Sequence, residues 1–352
     1  MIISRTPFRI SLFGGGTDYP AWYRKHGGVV LAATIDKYCY LSCRYLPPFF
    51  EHRIRLVYSK IESCQHVDDI QHPAVRESLK SLNMTQGIEI HHDGDLPARS
   101  GMGTSSAFTV GLLKGLHALQ GYMPTKHELA LESIRIEQEV LHETVGSQDQ
   151  VLAAYGGVNS IAFLTNGEIT VTPIVLSKAR LQELNGHLML FYTGLKRTAA
   201  NVAATYVHEL ESHKRQLRIM KDLVQETLAI LNSGNDLVEL GGLLHEAWLA
   251  KQTLSPWVSN TEVDEMYEHA QRAGALGGKL TGAGGGGFLL LFVPPHKQCA
   301  VREALKELLL VPFNFEYSGS QIIFCDREEE YSREDALREA ESPRVFKEVQ
   351  LG

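Results

Sequence analysis

The chain has 352 residues, 44% of them hydrophobic, and 34 basic against 41 acidic side chains leave a formal charge of −7. The length suggests two domains with ample apolar material for a core, and the acidic balance excludes a sequence-independent nucleic-acid binder, which needs a basic face. No stretch reaches the roughly 18–20 apolar residues of a membrane span and the first residues lack a secretory pattern; with an odd count of five cysteines, a cytoplasmic protein with reduced thiols is expected.

The first hundred residues read mainly as strands, with alternation over Ile2–Leu12, Val29–Cys43, Arg53–Tyr58 and Gly87–Ile90 punctuated by Gly, Pro and Asp. Cys39 and Cys43 can share one strand face; with no second pair nearby they read as buried thiols rather than half of a metal site. Helical spacing then takes over. Phe108, Leu112, Leu116 and Leu119 predict a helix over Ser105–Leu119 ending at Gly121. Thr125 and Glu128 form a capping box that opens a helix running to about Glu143. Gly156-Gly157, a strand over Val158–Phe163 and the turn Asn166-Gly167 close this half.

The polar stretch Leu184–Gly186 places a boundary near residue 185, dividing the chain into units 1–185 and 186–352. A strand over His187–Tyr192 opens the second unit. Long helical patterns follow over Thr198–Asn232, Leu237–Lys251 and Glu262–Ala273. Then come the glycine run Gly282–Gly287, the apolar strand Phe288–Val293, a helix near Lys297–Leu309 and a strand near Ser320–Phe324. The charge-rich stretch from Asp326 reads as a solvated helix or tail.

Four segments carry chemistry. Asp95-Leu-Pro-Ala-Arg-Ser-Gly-Met-Gly-Thr-Ser-Ser-Ala107 lies between a predicted strand and a predicted helix. Its glycines allow close backbone approach, its hydroxyls sit at the helix entry, and a helix N-terminus offers free N–H groups and a positive dipole end. That combination predicts a phosphate cradle, with a serine hydroxyl able to meet Mg²⁺. Arg5-Thr-Pro-Phe-Arg-Ile-Ser-Leu-Phe-Gly-Gly-Gly-Thr-Asp18 leads from a strand into a flexible turn, where an exposed Thr17 and Asp18 suit a polyhydroxylated ligand and Arg9 offers fixed charge. Gly146-Ser-Gln-Asp149-Gln150 puts one carboxylate at a loop end.

The fourth segment, Lys279-Leu-Thr-Gly-Ala-Gly-Gly-Gly-Gly-Phe288, contains a G-x-G-x-x-G spacing at Gly282, Gly284 and Gly287, but it follows a helix and opens a strand, the reverse of a dinucleotide fingerprint. Nor does it make a P-loop, since Leu280 follows Lys279. A loop packed closely on a ligand or another backbone is the best reason for four consecutive glycines, whose backbone entropy is costly to lose. There is no H-E-x-x-H and no G-x-S-x-G, so zinc-protease and serine-hydrolase chemistry are excluded.

Taken together and in this order, the four segments resemble the GHMP kinases, the superfamily of galactokinase, homoserine kinase, mevalonate kinase and phosphomevalonate kinase. The resemblance spans nearly the whole chain and implies a two-domain α+β fold: an N-terminal unit like ribosomal protein S5 domain 2 and a C-terminal ferredoxin-like unit, with the active site between them. It further implies that Pro97, Ser100, Gly101, Met102, Gly103, Thr104, Ser105 and Ser106 hold the phosphates of ATP. Ser106 resembles the Mg²⁺-ligating serine, and Glu137 the second magnesium ligand, with Glu139 and Glu143 as competitors. Asp149 resembles the catalytic aspartate, as base or as orienting group, and Arg9 the arginine that faces it. Gly15, Gly16, Thr17 and Asp18 resemble sugar contacts, and the run containing Gly284 and Gly285 resembles the loop that shapes the substrate site. Tyr58–Glu62 is placed by analogy along the adenine pocket.

Pro20-Ala-Trp22, Gly27–Lys37, Tyr58–Glu62 and Thr193–Arg197 are similar to the D-glycero-D-manno-heptose 7-phosphate kinases of that superfamily. Arg99 and Met102 depart from the commoner P-G-x-G-L-G form of the loop. The implied reaction is phosphorylation of the anomeric hydroxyl of heptose 7-phosphate by ATP. A substrate already bearing phosphate needs further cations, for which Lys196 or Arg197 are the candidates, with Arg24 and Lys37 behind them. The rivals are a kinase for unphosphorylated fucose, mannose or galactose and a non-catalytic ATP- and sugar-binding sensor. The expected partners are thus ATP and a small phosphosugar, with no nucleic acid or membrane; a homodimer is left open.

Overall fold

The computed structural model describes residues 1–195, 199–234 and 236–326, together with 331, 333–334 and 336–337. In chain order the first part runs β1 (Ile2–Phe13), α1 (Pro20–His26), β2 (Gly28–Tyr45), β3 (Ile54–Val57), β4 (Ile61–Cys64), α2 (Pro73–Ser81) and β5 (Ile88–Gly94). It continues with α3 (Thr104–Leu119), α4 (Lys126–Ile134), α5 (Gln148–Tyr155), β6 (Val158–Phe163) and β7 (Ile169–Pro173). The second part holds α6 (Lys178–His187), β8 (Leu188–Tyr192), α7 (Ala199–Ala204), α8 (Lys214–Asn232), α9 (Val238–Gln252) and α10 (Thr261–Arg272). Last come β9 (Gly277–Leu280), β10 (Phe288–Phe292), α11 (Gln298–Ala304), β11 (Leu309–Leu310), β12 (Phe315–Glu316) and β13 (Gln321–Cys325).

The large sheet is built around β1 and β2, which pair antiparallel along almost their whole lengths. The long β2 changes its other partner as it goes: β6 along Gly28–Ala33, β12 at Thr34 and Ile35, and β5 from Cys39 to Tyr45. Helix α3 lies against β1 and β2, where Gly111 and Gly115 remove the side chains that would separate them. A Cβ at Gly111 would stand 2.8 Å from Thr6 Oγ1, and one at Gly115 3.2 Å from Cys43 Sγ. Burial pushes the Cys43 thiol up to about 12, and Cys39 is buried and raised likewise. Both are structural thiols.

The small sheet has the antiparallel order β11-β8-β10-β9. Read in chain order as β8, helices, β9, β10, α11 and β11, it is the βαββαβ arrangement expected of a ferredoxin-like unit. The α+β expectation therefore holds, but a cut at residue 185 does not describe the pairing. Residue 185 lies inside α6, whose N-terminus Ser177 caps by accepting from the Arg180 amide, and α6 runs directly into β8. After β11 the chain returns to the large sheet, β12 on β2 and β13 on β1. Strand pairing is decided by which edge is free, a property that local composition does not encode.

Two predicted helices are interrupted. The Thr125 capping box forms with both of its bonds, but α4 ends at Ile134 and continues as a π-helical turn over Arg135–Val140. The stretch after Thr198 divides into α7, a 3₁₀ turn at Val207–Glu209 and α8. Most of the charged stretch after Asp326 lies outside the described residues, and no described helix is long and apolar enough to cross a membrane.

Candidate active site

The site is assembled where β1, the loop before α3, the π-helical turn and the start of α5 meet. Arg9 is 5% exposed. Its Nε donates to Asp149 Oδ1 at 2.7 Å and its Nη2 to Oδ2 at 2.6 Å, a bidentate fork on one carboxylate. The third donor, Nη1, reaches the Gly101 carbonyl at 2.7 Å, and the Arg9 amide donates to the Met102 carbonyl. One arginine thus fixes both the acid and the loop beside it.

The loop can lie so close because of its backbone. Gly101 and Gly103 have φ of +78° and +70°, conformations that L side chains rarely adopt, and a Cβ on Gly103 would stand 3.1 Å from Arg9 Cγ and 3.4 Å from Asp149 Oδ2. Gly103 is also the residue that opens α3. The amides of the first turn of α3 therefore begin directly above the Arg9–Asp149 pair, an anion-binding geometry. Thr104 accepts from the Arg99 amide, Ser105 and Pro97 are exposed, Ser100 is buried, and the Met102 side chain is wholly buried so that only its backbone faces the loop.

Ser106 points away from solvent and donates to Glu137 Oε2 at 2.8 Å, and Gln150 Nε2 donates to the same oxygen. Glu137 lies in the π-helical turn, whose extra residue per turn rotates it into the core; such turns recur at functional sites. Burial pushes its carboxyl up to about 7 against the hydrogen bonds from Thr109, Ser106 and Gln150. The other oxygen, Oε1, is buried without a partner. Among the competitors, Glu143 is half-buried and raised by burial, while no contact of Glu139 with the cluster is present among the described bonds.

The turn after β1 differs from expectation. Thr17 and Asp18 are buried, not exposed. Thr17 Oγ1 faces the Gly14 and Val29 carbonyls and accepts from the Val29 amide, so it fixes the turn. Asp18 accepts from the Gly16 amide at 2.9 Å and from Gln148 Nε2 at 3.0 Å, and the Ser147 amide donates to its carbonyl. Burial, then the charge of Asp149, raise its carboxyl. Gly15 and Gly16 lie against Ser11 and Leu217, and Asp18 is the clasp that ties this turn to the segment preceding Asp149.

Models of two domains match the chain: the GHMP kinases N terminal domain over residues 70–157 and the GHMP kinases C terminal domain over residues 204–309. Together they span more than half of it. The chain belongs to the GHMP kinases. This kinase is 30% identical to the D-glycero-alpha-D-manno-heptose 7-phosphate kinase of Campylobacter jejuni, over 87% of its own chain and 93% of that one. It is 26% identical to a bifunctional fucokinase/GDP-fucose pyrophosphorylase of Arabidopsis thaliana, over 86% of its chain and 31% of that protein. Its fold matches the crystal structure of a D-glycero-D-manno-heptose 1-phosphate kinase from Bacteroides thetaiotaomicron, with a TM-score of 0.76 at 24% identity over 93% and 100% of the two chains. It is accordingly a phosphotransferase that uses ATP and an alcohol acceptor, a sugar kinase.

The glycine run of the kinase does something more definite than shape an open wall. A Cβ at Gly284 would stand 2.5 Å from the Val258 carbonyl, at Gly286 2.6 Å from the Leu195 carbonyl, and at Gly287 2.1 Å from the Ser100 carbonyl; the Gly285 amide donates to Val258. Gly284 and Gly285 are spent on backbone packing. Thr281 and Gly282 meet the loop itself: Gly101 and Gly282 approach so closely that a Cβ on either would fall 2.7 Å from the other side. Sequence reading missed Gln148, Gln150, Lys251 and Lys279, because a polar residue in an apolar pattern carries no mark of what it will face. Lys196 and Arg197 lie outside the described residues. Lys37 is tied to Asp36, Arg24 is exposed, and Tyr58 donates to Glu62 and meets His72 edge-on.

Proposed function

We propose that this kinase transfers the γ-phosphoryl group of ATP to the anomeric hydroxyl of D-glycero-D-manno-heptose 7-phosphate, yielding the 1,7-bisphosphate, a step toward nucleotide-activated heptose. The observation that carries the chemistry is the bidentate Arg9–Asp149 pair set directly below the head of α3. In-line transfer needs held phosphates, a positioned hydroxyl and positive charge where negative charge develops. The amides of Gly101–Ser106 would hold the phosphates. Asp149, 23% exposed, would accept or orient the hydroxyl proton through a lone pair that Arg9 leaves free, and Arg9 would face the developing charge. The identity with the Campylobacter enzyme supports the acceptor.

Magnesium suits the Ser106–Glu137 pair, since both offer hard oxygens and Glu137 Oε1 is buried without a partner. Bound there, the ion would shield the phosphate charge, and its remaining ligands would come from phosphate and water, as is usual for Mg²⁺. Asp18, with Gly15 and Gly16, would position the sugar side of the site.

A second reading, an anomeric kinase for an unphosphorylated sugar, draws on Lys37 being already paired with Asp36 and on the fucokinase relative. ³¹P NMR with Mg-ATP and separate samples of heptose 7-phosphate, heptose 1-phosphate, fucose, mannose and galactose tests both. A new anomeric phosphate with stoichiometric ADP from heptose 7-phosphate alone is the expected result. A product from a free sugar, or one phosphorylated elsewhere from heptose 1-phosphate, overturns the acceptor assignment, and no turnover of any of them favours the sensor.

A further inference from the structure

Two lysines are fully enclosed at the seam between the sheets, and the chemistry described above uses neither. Lys251, near the end of α9, is 5% exposed and Lys279, on β9, is 3% exposed. Lys251 Nζ donates to the Leu280 carbonyl at 3.1 Å and also to that of Gly282, so it grips both sides of Thr281. Lys279 Nζ donates to the Leu12 carbonyl at 3.1 Å, three residues beyond Arg9 on β1. The segment that Lys251 grips is the one that meets Gly101 of the phosphate loop. Lys279 thus ties the small sheet to β1, and Lys251 ties α9 to the segment that meets the phosphate loop.

Their partners are neutral carbonyls. Among the described residues the charged groups acting on them are each other, Arg9 from β1 and Asp18 from the turn beyond it; Arg9 is in turn paired with Asp149, and the Trp248 ring lies 5.9 Å from Lys251 Nζ. On the outer side of β9, α10 offers Tyr267, which bonds to Gly278 and to His245 of α9. Three cations therefore face two carboxylates in a desolvated setting. Burying like charges together is unfavourable unless an anion completes the set, and a methionine would fill the same volume without that cost.

We propose that Lys251 and Lys279 are positioning residues whose charge is completed by the phosphates of bound nucleotide, so that nucleotide binding draws a proton into this pair and locks the Leu280–Gly282 segment onto the phosphate loop. The inference rests on the placement of ATP at the Gly101–Ser106 loop and not on the identity of the sugar. Burial, with the charge of Arg9 and against that of Asp18, brings Lys279 down to about 7; burial and then Lys279 and Arg9 bring Lys251 well below the usual lysine range. Without nucleotide Lys279 is charged below about 7 and loses its proton as pH rises through that value, and Lys251 loses its own proton well below the usual lysine range. An anion at the loop favours the charged form, so affinity falls as pH rises above about 7.

Calorimetric titration of the whole protein with a magnesium complex of a non-hydrolysable ATP analogue at pH 8, in buffers of different ionisation enthalpy, tests this without any variant. Uptake of about half a proton or more per nucleotide is expected, with a dissociation constant roughly tenfold weaker at pH 9 than at pH 7. Lys279→Gln keeps a donor for Leu12 and removes one of the two charges; it should bind about tenfold more weakly at pH 7, with a smaller proton uptake and a shallower pH dependence than the parent and with a melting temperature no lower than that of the parent. Binding without proton uptake, or a Lys279→Gln variant that binds like the parent, overturns the inference. No nucleotide binding to the parent overturns the loop assignment and the inference together.

Discussion

Asp149 and Glu137 stand on either side of the first turn of α3 and differ in nearly every physical respect. Asp149 is partly exposed and held by a bidentate guanidinium, whereas Glu137 is enclosed among neutral donors with no cation beside it among the described residues. The first has its counter-charge built in and can meet an incoming hydroxyl. The second is an incomplete charge set, with one oxygen unpartnered and a carboxyl raised to about 7. An acid paired by the protein is ready for proton chemistry; an acid left unpaired in the core suits a partner that arrives from outside, which is the place proposed above for magnesium.

The largest way to break this contrast is Asp149→Asn. The group is replaced by one that can neither take a proton nor hold Arg9 by charge, and kcat should fall by about 10³-fold, or about 4 kcal/mol in the barrier, while the fold persists. Steady-state kinetics beside a thermal melt checks it. Equal loss of kcat and of melting temperature would make the pair structural.

Glu137→Gln tests the other acid through stability. The folded value of about 7 lies above the ordinary 4.5, so the native chain holds a proton that the unfolded chain has released between those values. Metal-free stability should be level below about pH 4.5, decline as pH rises toward 7, and settle roughly 3 kcal/mol lower through this group. In Glu137→Gln that decline disappears, and so does the stabilisation of the parent by Mg²⁺ with nucleotide at pH 8. Urea melts at a series of pH values read both effects.

Smaller changes separate the loop from its surroundings. Gly101→Ala puts a Cβ at positive φ and 2.7 Å from the Thr281 carbonyl, which should cost about 1–2 kcal/mol of stability and raise KM for ATP more than KM for the sugar. Thr125→Ala, which opens the capping box far from the chemistry, should cost about 1 kcal/mol and leave both Michaelis constants unchanged.

Much of the site was legible residue by residue. Arg9 meets Asp149 and Ser106 meets Glu137 in the structure, contacts between residues that the sequence had already singled out, and the strand–loop–helix setting of the Gly101–Ser106 loop was readable from local pattern. The burial of Thr17 and Asp18 was not, because a turn looks solvated until another loop, here Gly146–Gln148, closes on it. The π-helical turn was hidden because one inserted residue leaves the apolar spacing of α4 nearly intact. Lys251 and Lys279 were hidden for the opposite reason: in sequence a lysine reads as surface, and only the carbonyls of Leu280, Gly282 and Leu12 show otherwise.

What the sequence determined by itself is what short-range physics controls: the caps, the alternation of the strands, the glycines at positive φ and the order of the four motifs. The tertiary structure alone decided which edges of the large sheet receive β12 and β13, which backbone the glycine run meets, and which charges are enclosed together. These depend on segments hundreds of residues apart competing for the same surface, and burial and electrostatics acquire their strength only once that surface has closed.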